Sequence, residues 1–239
     1  IRRCGKSVLL FDLFFEYLLS QNVSEDHILK IELDQRRYYK FRNPITLCEY
    51  VESTVRDRKD EKFYLFIDGA RLSYALSSPF NDVDLKCLAD NCDAFYIGGT
   101  KCGALFGEAV VILNDELKPH FFSYQKQHGA LLAKGWLLGL QFYTLFNNNL
   151  YSEIAKPAVK MALNIKSAML SKGIKLAVDS PTNQQFFIMT NDQIKALSKE
   201  YMLSEIETID ASHKCMRLCT AWYTEQRDVD SLIEAINEL

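Results

Sequence analysis

The feature that most constrains this chain is the apolar run Phe63-Tyr64-Leu65-Phe66-Ile67-Asp68, set between a charged stretch and Gly69. A continuous apolar run of strand length, with no polar face to give to water, is what a fully buried strand requires. Its acidic end falls where α/β folds collect ligand-binding groups, just outside the carboxyl ends of their strands. Ala94-Phe95-Tyr96-Ile97, leading into Gly98-Gly99-Thr100-Lys101, and the stretch Glu108 to Leu113 read as two more strands. The chain is therefore expected to be α/β.

The remaining pattern divides around these strands. Val8 to Leu19 reads as a helix, with Asp12 and Glu16 four apart, and Ile28 to Leu33 as a short strand. Arg36 to Lys40 is a basic and aromatic cluster, Asn43-Pro44 a breaker, Thr46 to Val55 a helix and the charge run Arg56 to Lys62 a solvated turn. Beyond Glu116 the pattern turns helical through Ala130 to Phe146 and Ile154 to Leu170, with Gly173 as a stop. The final third alternates strands, Phe186 to Met189 and Met216 to Trp222, with helices, Asp192 to Lys199 and Asp228 to Leu239. That alternation implies a small α+β domain.

With 239 residues, 48% of them apolar, the chain can bury one substantial core or two modest ones. A net charge of -3 gives no electrostatic reason to bind nucleic acid or an anionic membrane, since phosphate affinity needs concentrated Lys and Arg. Seven cysteines without a repeated framework fit free thiols in a reducing compartment, so a cytoplasmic setting is expected. No run approaches the roughly 20 apolar residues that span a bilayer, and the opening residues are not followed by a secretory cleavage pattern. Cys215 and Cys219 lack the Cys-x-x-Cys spacing of a zinc site, and His27, His120, His128 and His213 are scattered, so no metal is assigned.

Two motifs carry chemistry. Arg2-Arg3-Cys4-Gly5-Lys6-Ser7 matches the last part of a Walker A loop, in which backbone amides cradle phosphates, the Lys reaches the β and γ oxygens and the Ser binds magnesium. With Ile31-Glu32-Leu33-Asp34 and Asn43-Pro44-Ile45, residues 1–68 resemble the start of a prokaryotic AAA-type P-loop ATPase. The resemblance implies ATP with magnesium, held by Gly5, Lys6 and Ser7, with Asp68 as the Walker B acid. Gly69 stands where that family usually has a second acid to orient the attacking water.

The second motif is Ile67-Asp68-Gly69-Ala70-Arg71, followed by Gly99-Thr100-Lys101 and Gly107-Glu108-Ala109-Val110-Val111. A pyridoxal enzyme needs an amine to hold the aldehyde and a carboxylate beside the ring nitrogen, and Lys101 and Asp68 supply these residue types. In this order the words resemble the threonine aldolase and β-eliminating lyase branch of the fold-type I pyridoxal-phosphate (PLP) enzymes. The resemblance implies that Lys101 forms the aldimine, that Asp68 and Thr100 bind the cofactor and that Arg71 sits by its phenolic oxygen. It implies that Arg217, in Met216-Arg217-Leu218-Cys219-Thr220-Ala221-Trp222, holds the substrate α-carboxylate, a role suited to its bidentate fork. The implied activity is a carbon–carbon lyase acting on a β-hydroxy amino acid, in a homodimer or higher homo-oligomer.

The pattern departs from that family in two places. No phosphate-binding glycine-threonine loop or stacking aromatic is recognised ahead of Asp68, where the P-loop words lie instead. Trp136 stands near the position of an expected phosphate-binding Arg, and a place in the helical core is its expected fate. The expected architecture is thus a fusion of two fragments: a P-loop-like βα segment over residues 1–68, half of a fold-type I large domain over 69–160, and a small α+β domain over 161–239. The large domain is expected to hold a mainly parallel sheet. The alternatives are a nucleotide-binding P-loop protein and an inactive fusion with neither site complete.

Overall fold

A computed structural model describes residues 14–29, 44–58, 61–65 and 69–239. The chain divides into two units, residues 1–68 and 69–239, each taken by itself below.

In the first unit, helix α1 (Phe14–Ser20) precedes strand β1 (Ile28–Leu29), helix α2 (Pro44–Val55) and strand β2 (Tyr64–Leu65). Strand β1 pairs in parallel with β2, Ile28 opposite Tyr64. Leu18 and Ile28 are buried against Phe15, Val23 and Tyr64. In the described part of the charge run after α2, Arg56, Asp57, Glu61 and Lys62 are exposed, as expected of a solvated turn, while Arg58 is half-buried and ion-paired. Arg58 reaches Asp26 at 2.8 Å and Glu61 at 2.8 Å, and lies 4.9 Å from the centre of the Phe63 ring, which His27 also stacks on. The first expected helix is described over Phe14–Ser20 and the first strand over Ile28–Leu29; their remaining residues lie outside the described set.

The second unit opens with helices α3 (Leu72–Leu76) and α4 (Leu85–Asn91), the latter capped by Asp84, whose side chain accepts from Cys87 N at 2.6 Å. Strands β3 (Ala94–Gly98) and β4 (Glu108–Ile112) follow, then helices α5 (Phe121–Gln127), α6 (Trp136–Phe146), α7 (Leu150–Glu153) and α8 (Lys156–Ser171). Strand β5 (Lys175–Val178), strand β6 (Gln184–Thr190), helix α9 (Asn191–Leu197), strands β7 (Ser204–Thr208) and β8 (His213–Cys219) and helix α10 (Gln226–Asn237) complete it.

The expected mainly parallel sheet is corrected here. Strands β3 and β4 are antiparallel, Tyr96 opposite Val110, and β5-β6-β8-β7 form a four-stranded sheet whose neighbours are all antiparallel. Among the described residues, parallel pairing is confined to β1 and β2. Connection length gives the reason: residues 99–107 join β3 to β4, short of the dozen or more residues that a parallel crossover needs.

Helix α8 is shared between two cores. Ala158 and Val159 belong to a cluster with Tyr74, Ile97, Cys102, Leu145 and Tyr151, whereas Met161, Ile165 and Met169 pack against Phe187, Met189, Met216 and α10. The helix stops where its glycine requires: Gly173 has φ +73°, Gly173 N donates to Leu170 O and Ile174 N to Met169 O, and Ile174 closes over Met169 in the core. Helix α9 begins with a capping box, Thr190 and Gln193 each bonding the other's backbone amide. The helical stretch expected from Ala130 begins only at Trp136, because Gly129 at φ +68° ends the turn after α5. Trp136 is 66% exposed, which corrects its expected place in the core.

Candidate functional site

The site is built on close backbone packing. Gly98 N donates to Gly69 O at 3.1 Å, and a Cβ on Gly98 would lie 2.5 Å from the Ala70 carbonyl oxygen. A Cβ on Gly69 would likewise run into the Tyr96 carbonyl. Glycine at both positions lets the 69–71 segment cross the end of β3 at main-chain distance. That segment then turns into α3, with Arg71 at its N-cap and half-buried.

Lys101 lies on the turn that leaves β3. Cys102 N and Ala104 N both donate to Gly99 O, at 2.9 and 3.0 Å, and Gly103 takes φ +101°. Gly99 faces Phe142 of α6 and Ala104 so closely that a Cβ would meet each at 2.8 Å. On the far side of the turn, Gln141 Oε1 accepts from Leu105 N at 2.7 Å. Lys101 and Thr100 are half-buried.

Three buried side chains tie this turn to the rest of the unit. Tyr74, on α3, donates its hydroxyl to Lys101 O at 2.5 Å and accepts from Trp222 N at 3.2 Å. Ser73 donates to Tyr151 O, and Tyr151 donates its own hydroxyl to Gly98 O at 2.9 Å. Burial pushes both phenols well above the usual tyrosine range, so each stays a donor. Burial also raises the Cys102 thiol, against opposing hydrogen bonds from Ser73 and Tyr151 and the nearby Arg71 charge; a fully buried thiol held in this way is not a reactive nucleophile.

Arg217 arrives on β8. It lies opposite Phe186 of β6 and Ser204 of β7, on the face turned away from the α8 and α10 core, and its Nη1 donates to Gln184 Oε1 at 3.2 Å. The strand end is anchored by Thr220, whose hydroxyl donates to Ala158 O at 2.6 Å, and by Asn183, whose amide donates to Thr220 O at 2.6 Å. Trp222, bonded to Tyr74, follows directly. A cavity of about 320 Å³ lined by Ile188, Thr190, Asp210 and His213 sits at the opposite end of this sheet from Gln184 and Cys219.

Arg71 and the Thr100–Lys101 turn are thus gathered around Tyr74, whose hydroxyl also holds Trp222, just beyond the end of the strand that carries Arg217. Asp68, Gly5, Lys6 and Ser7 lie outside the described residues. Tyr74, Tyr151, Ser73 and Gln141 were not singled out from sequence; Tyr74, Ser73 and Gln141 carry the one signal of a polar tip within a largely apolar stretch, whereas Tyr151 follows the polar run Asn147-Asn148-Asn149. Among the described residues no group of three or more His, Cys, Asp or Glu could hold a metal ion, and no helix is long and apolar enough to cross a membrane.

No family model matches the chain, and no curated protein does. Solved structures do. Threonine aldolase of Leishmania major is 42% identical, with 79% of this chain and 54% of that chain covered and a TM-score of 0.73. Serine palmitoyltransferase of Sphingomonas wittichii, at 11% identity with 79% and 50% covered, and a NifS-like protein, at 15% with 80% and 55% covered, both have a TM-score of 0.54 and share the fold alone. The chain spans about half the length of these structures. They lend no support to the P-loop segment or to a fusion. What they do support is an α/β chain resembling a fragment of a fold-type I PLP enzyme, and similar in sequence to threonine aldolase.

Proposed function

We propose that this chain acts as a PLP-dependent lyase of the threonine aldolase kind, cleaving or eliminating at a β-hydroxy amino acid, with Lys101 as the cofactor lysine. The observation that carries the reading is the 42% identity to threonine aldolase over 79% of this chain, in a fold that gathers Arg71, Thr100 and Lys101. The described residues fit the aldehyde end of such a cofactor: a half-buried lysine on a turn fixed through Gly99, Tyr74 and Gln141 can offer its amine at a constant place.

When bound, PLP supplies an electron sink for a bond breaking at the substrate α-carbon. Lys101 Nζ holds the cofactor and carries protons at the reacting centre. The Arg217 fork, oriented by Gln184, binds the α-carboxylate in two parallel hydrogen bonds, and Arg71 adds positive charge beside it. Asp68 keeps the ring nitrogen protonated in this reading, and Thr100 contributes to cofactor binding.

A homo-oligomer belongs to the same proposal. Helix α6 is apolar on both sides: Leu138, Phe142 and Leu145 face Gly107, Gly99 and the core, whereas Trp136, Leu140 and Tyr143 are 66%, 51% and 70% exposed. A helix apolar all round is one that is covered on all sides, and a second copy of the chain is the proposed cover.

The test is absorbance during titration with PLP, then borohydride trapping and peptide mapping. The expected adduct is on Lys101. Lys101→Ala should lose it with an unchanged far-ultraviolet circular dichroism spectrum; visible absorbance that is the same in this variant would sink the assignment. Product analysis on β-hydroxy amino acids separates the two reactions, since carbon–carbon cleavage releases an aldehyde and elimination releases ammonia.

A further inference from the structure

We infer that Tyr74 is a positioning residue, whose hydroxyl sets the place of Lys101 relative to the strand carrying Arg217. This rests on the reading of Lys101 and Arg217 given above. Tyr74 is 1% exposed, and its single hydroxyl is used at both capacities: it donates to Lys101 O at 2.5 Å and accepts from Trp222 N at 3.2 Å. Both partners are main-chain groups, so the bond fixes backbone to backbone and does not depend on another side chain's rotamer. One is on the lysine turn. The other is on the segment leaving β8, the strand that carries Arg217, and that segment is also anchored by the Thr220 hydroxyl, which donates to Ala158 O of α8.

The placement of Tyr74 is itself over-determined. Its backbone amide bonds Arg71 O at 3.1 Å, its neighbour Ser73 is bonded to Tyr151 O, and Tyr151 returns to Gly98 at the head of the lysine turn. The loop closes through α3, α7, β3 and the turn, with every polar tip inside it satisfied by main chain. Without the hydroxyl, Trp222 N–H and Lys101 C=O would lose their common partner in a partly buried place, which releases the distance between the amine and the carboxylate-binding fork.

Tyr74→Phe tests this, because the ring keeps filling its space. In the full chain without cofactor, exchange of the Trp222 amide, followed by NMR, is expected to speed up about fivefold. Reductive methylation of Lys101 by formaldehyde with cyanoborohydride as the hydride donor, followed across pH by mass spectrometry, is expected to change in rate by about fivefold, while exposed Lys86 keeps its own profile. Unchanged Trp222 exchange overturns the inference. Faster exchange with an unchanged Lys101 profile also overturns it, since Tyr74 would then be structural only. PLP trapping on the unaltered chain is read separately: failure to trap on Lys101 overturns the proposed lyase, while the two cofactor-free measurements still decide the role of Tyr74.

Discussion

Gly98 shows how little freedom single positions have around Lys101. Its Cβ would meet the Ala70 backbone at 2.5 to 2.7 Å, and backbone cannot swing aside as a side chain can. Gly98→Ala is therefore expected to destabilise the fold by about 2–4 kcal/mol, read as a lower denaturant midpoint with an unchanged slope. The glycines were legible beforehand as part of the words around Asp68 and Lys101, and so were Lys101, Arg71 and Arg217 themselves. Tyr74 and Tyr151 were not. Tyr74 sits in a short, largely apolar stretch and Tyr151 just after the polar run Asn147-Asn148-Asn149, and what distinguishes them is a hydroxyl bonded to carbonyls at Lys101 and Gly98. A carbonyl oxygen is present at every residue, so no residue type marks where such a bond will fall.

At the scale of elements, β3 and β6 were legible because their apolar runs were short and bounded, as at Ala94 to Ile97 and Phe186 to Met189, whereas β5 and β7 were not expected and β8 runs over His213–Cys219 rather than Met216 to Trp222. Strand direction was not legible, since a buried run of Phe, Tyr and Ile suits either pairing, and only the short link between β3 and β4 decides for antiparallel. Helices α3 and α4 are too short to show periodicity. The link between β7 and β8 carries a pH-dependent feature that the sequence did not reveal. Asp210 is held down to about 2, first by the Ser212 amide and hydroxyl and then by His213. A carboxylate with a depressed folded pKa gives stability that is present above about pH 4 and lost as pH falls toward 2. A carbon-detected NMR titration should find the Asp210 carboxyl near 2, and Asp210→Asn should remove this part of the acid response; an Asp210 titrating at an ordinary 3.8 would contradict it.

For the molecule as a whole, the outer stripe of α6 bears on assembly. A charge at Leu140 or Tyr143 should cost little in a monomer, where both are exposed, and much in an oligomer that buries them. Leu140→Glu and Tyr143→Glu are expected to lower the scattering mass at a given concentration without lowering the monomer's own melting point. A mass unaffected by both would remove α6 from the interface. Helix α8 bears on something else. One rod supplies the wall of both cores, and the boundary expected between residues 160 and 161 falls inside it. The lysine turn and the β5–β8 sheet therefore cannot melt in turn: fraying at either end of α8 strips apolar cover from the neighbouring half, so heat should take residues 69–239 apart as one cooperative event and a cut inside α8 would ruin both halves together.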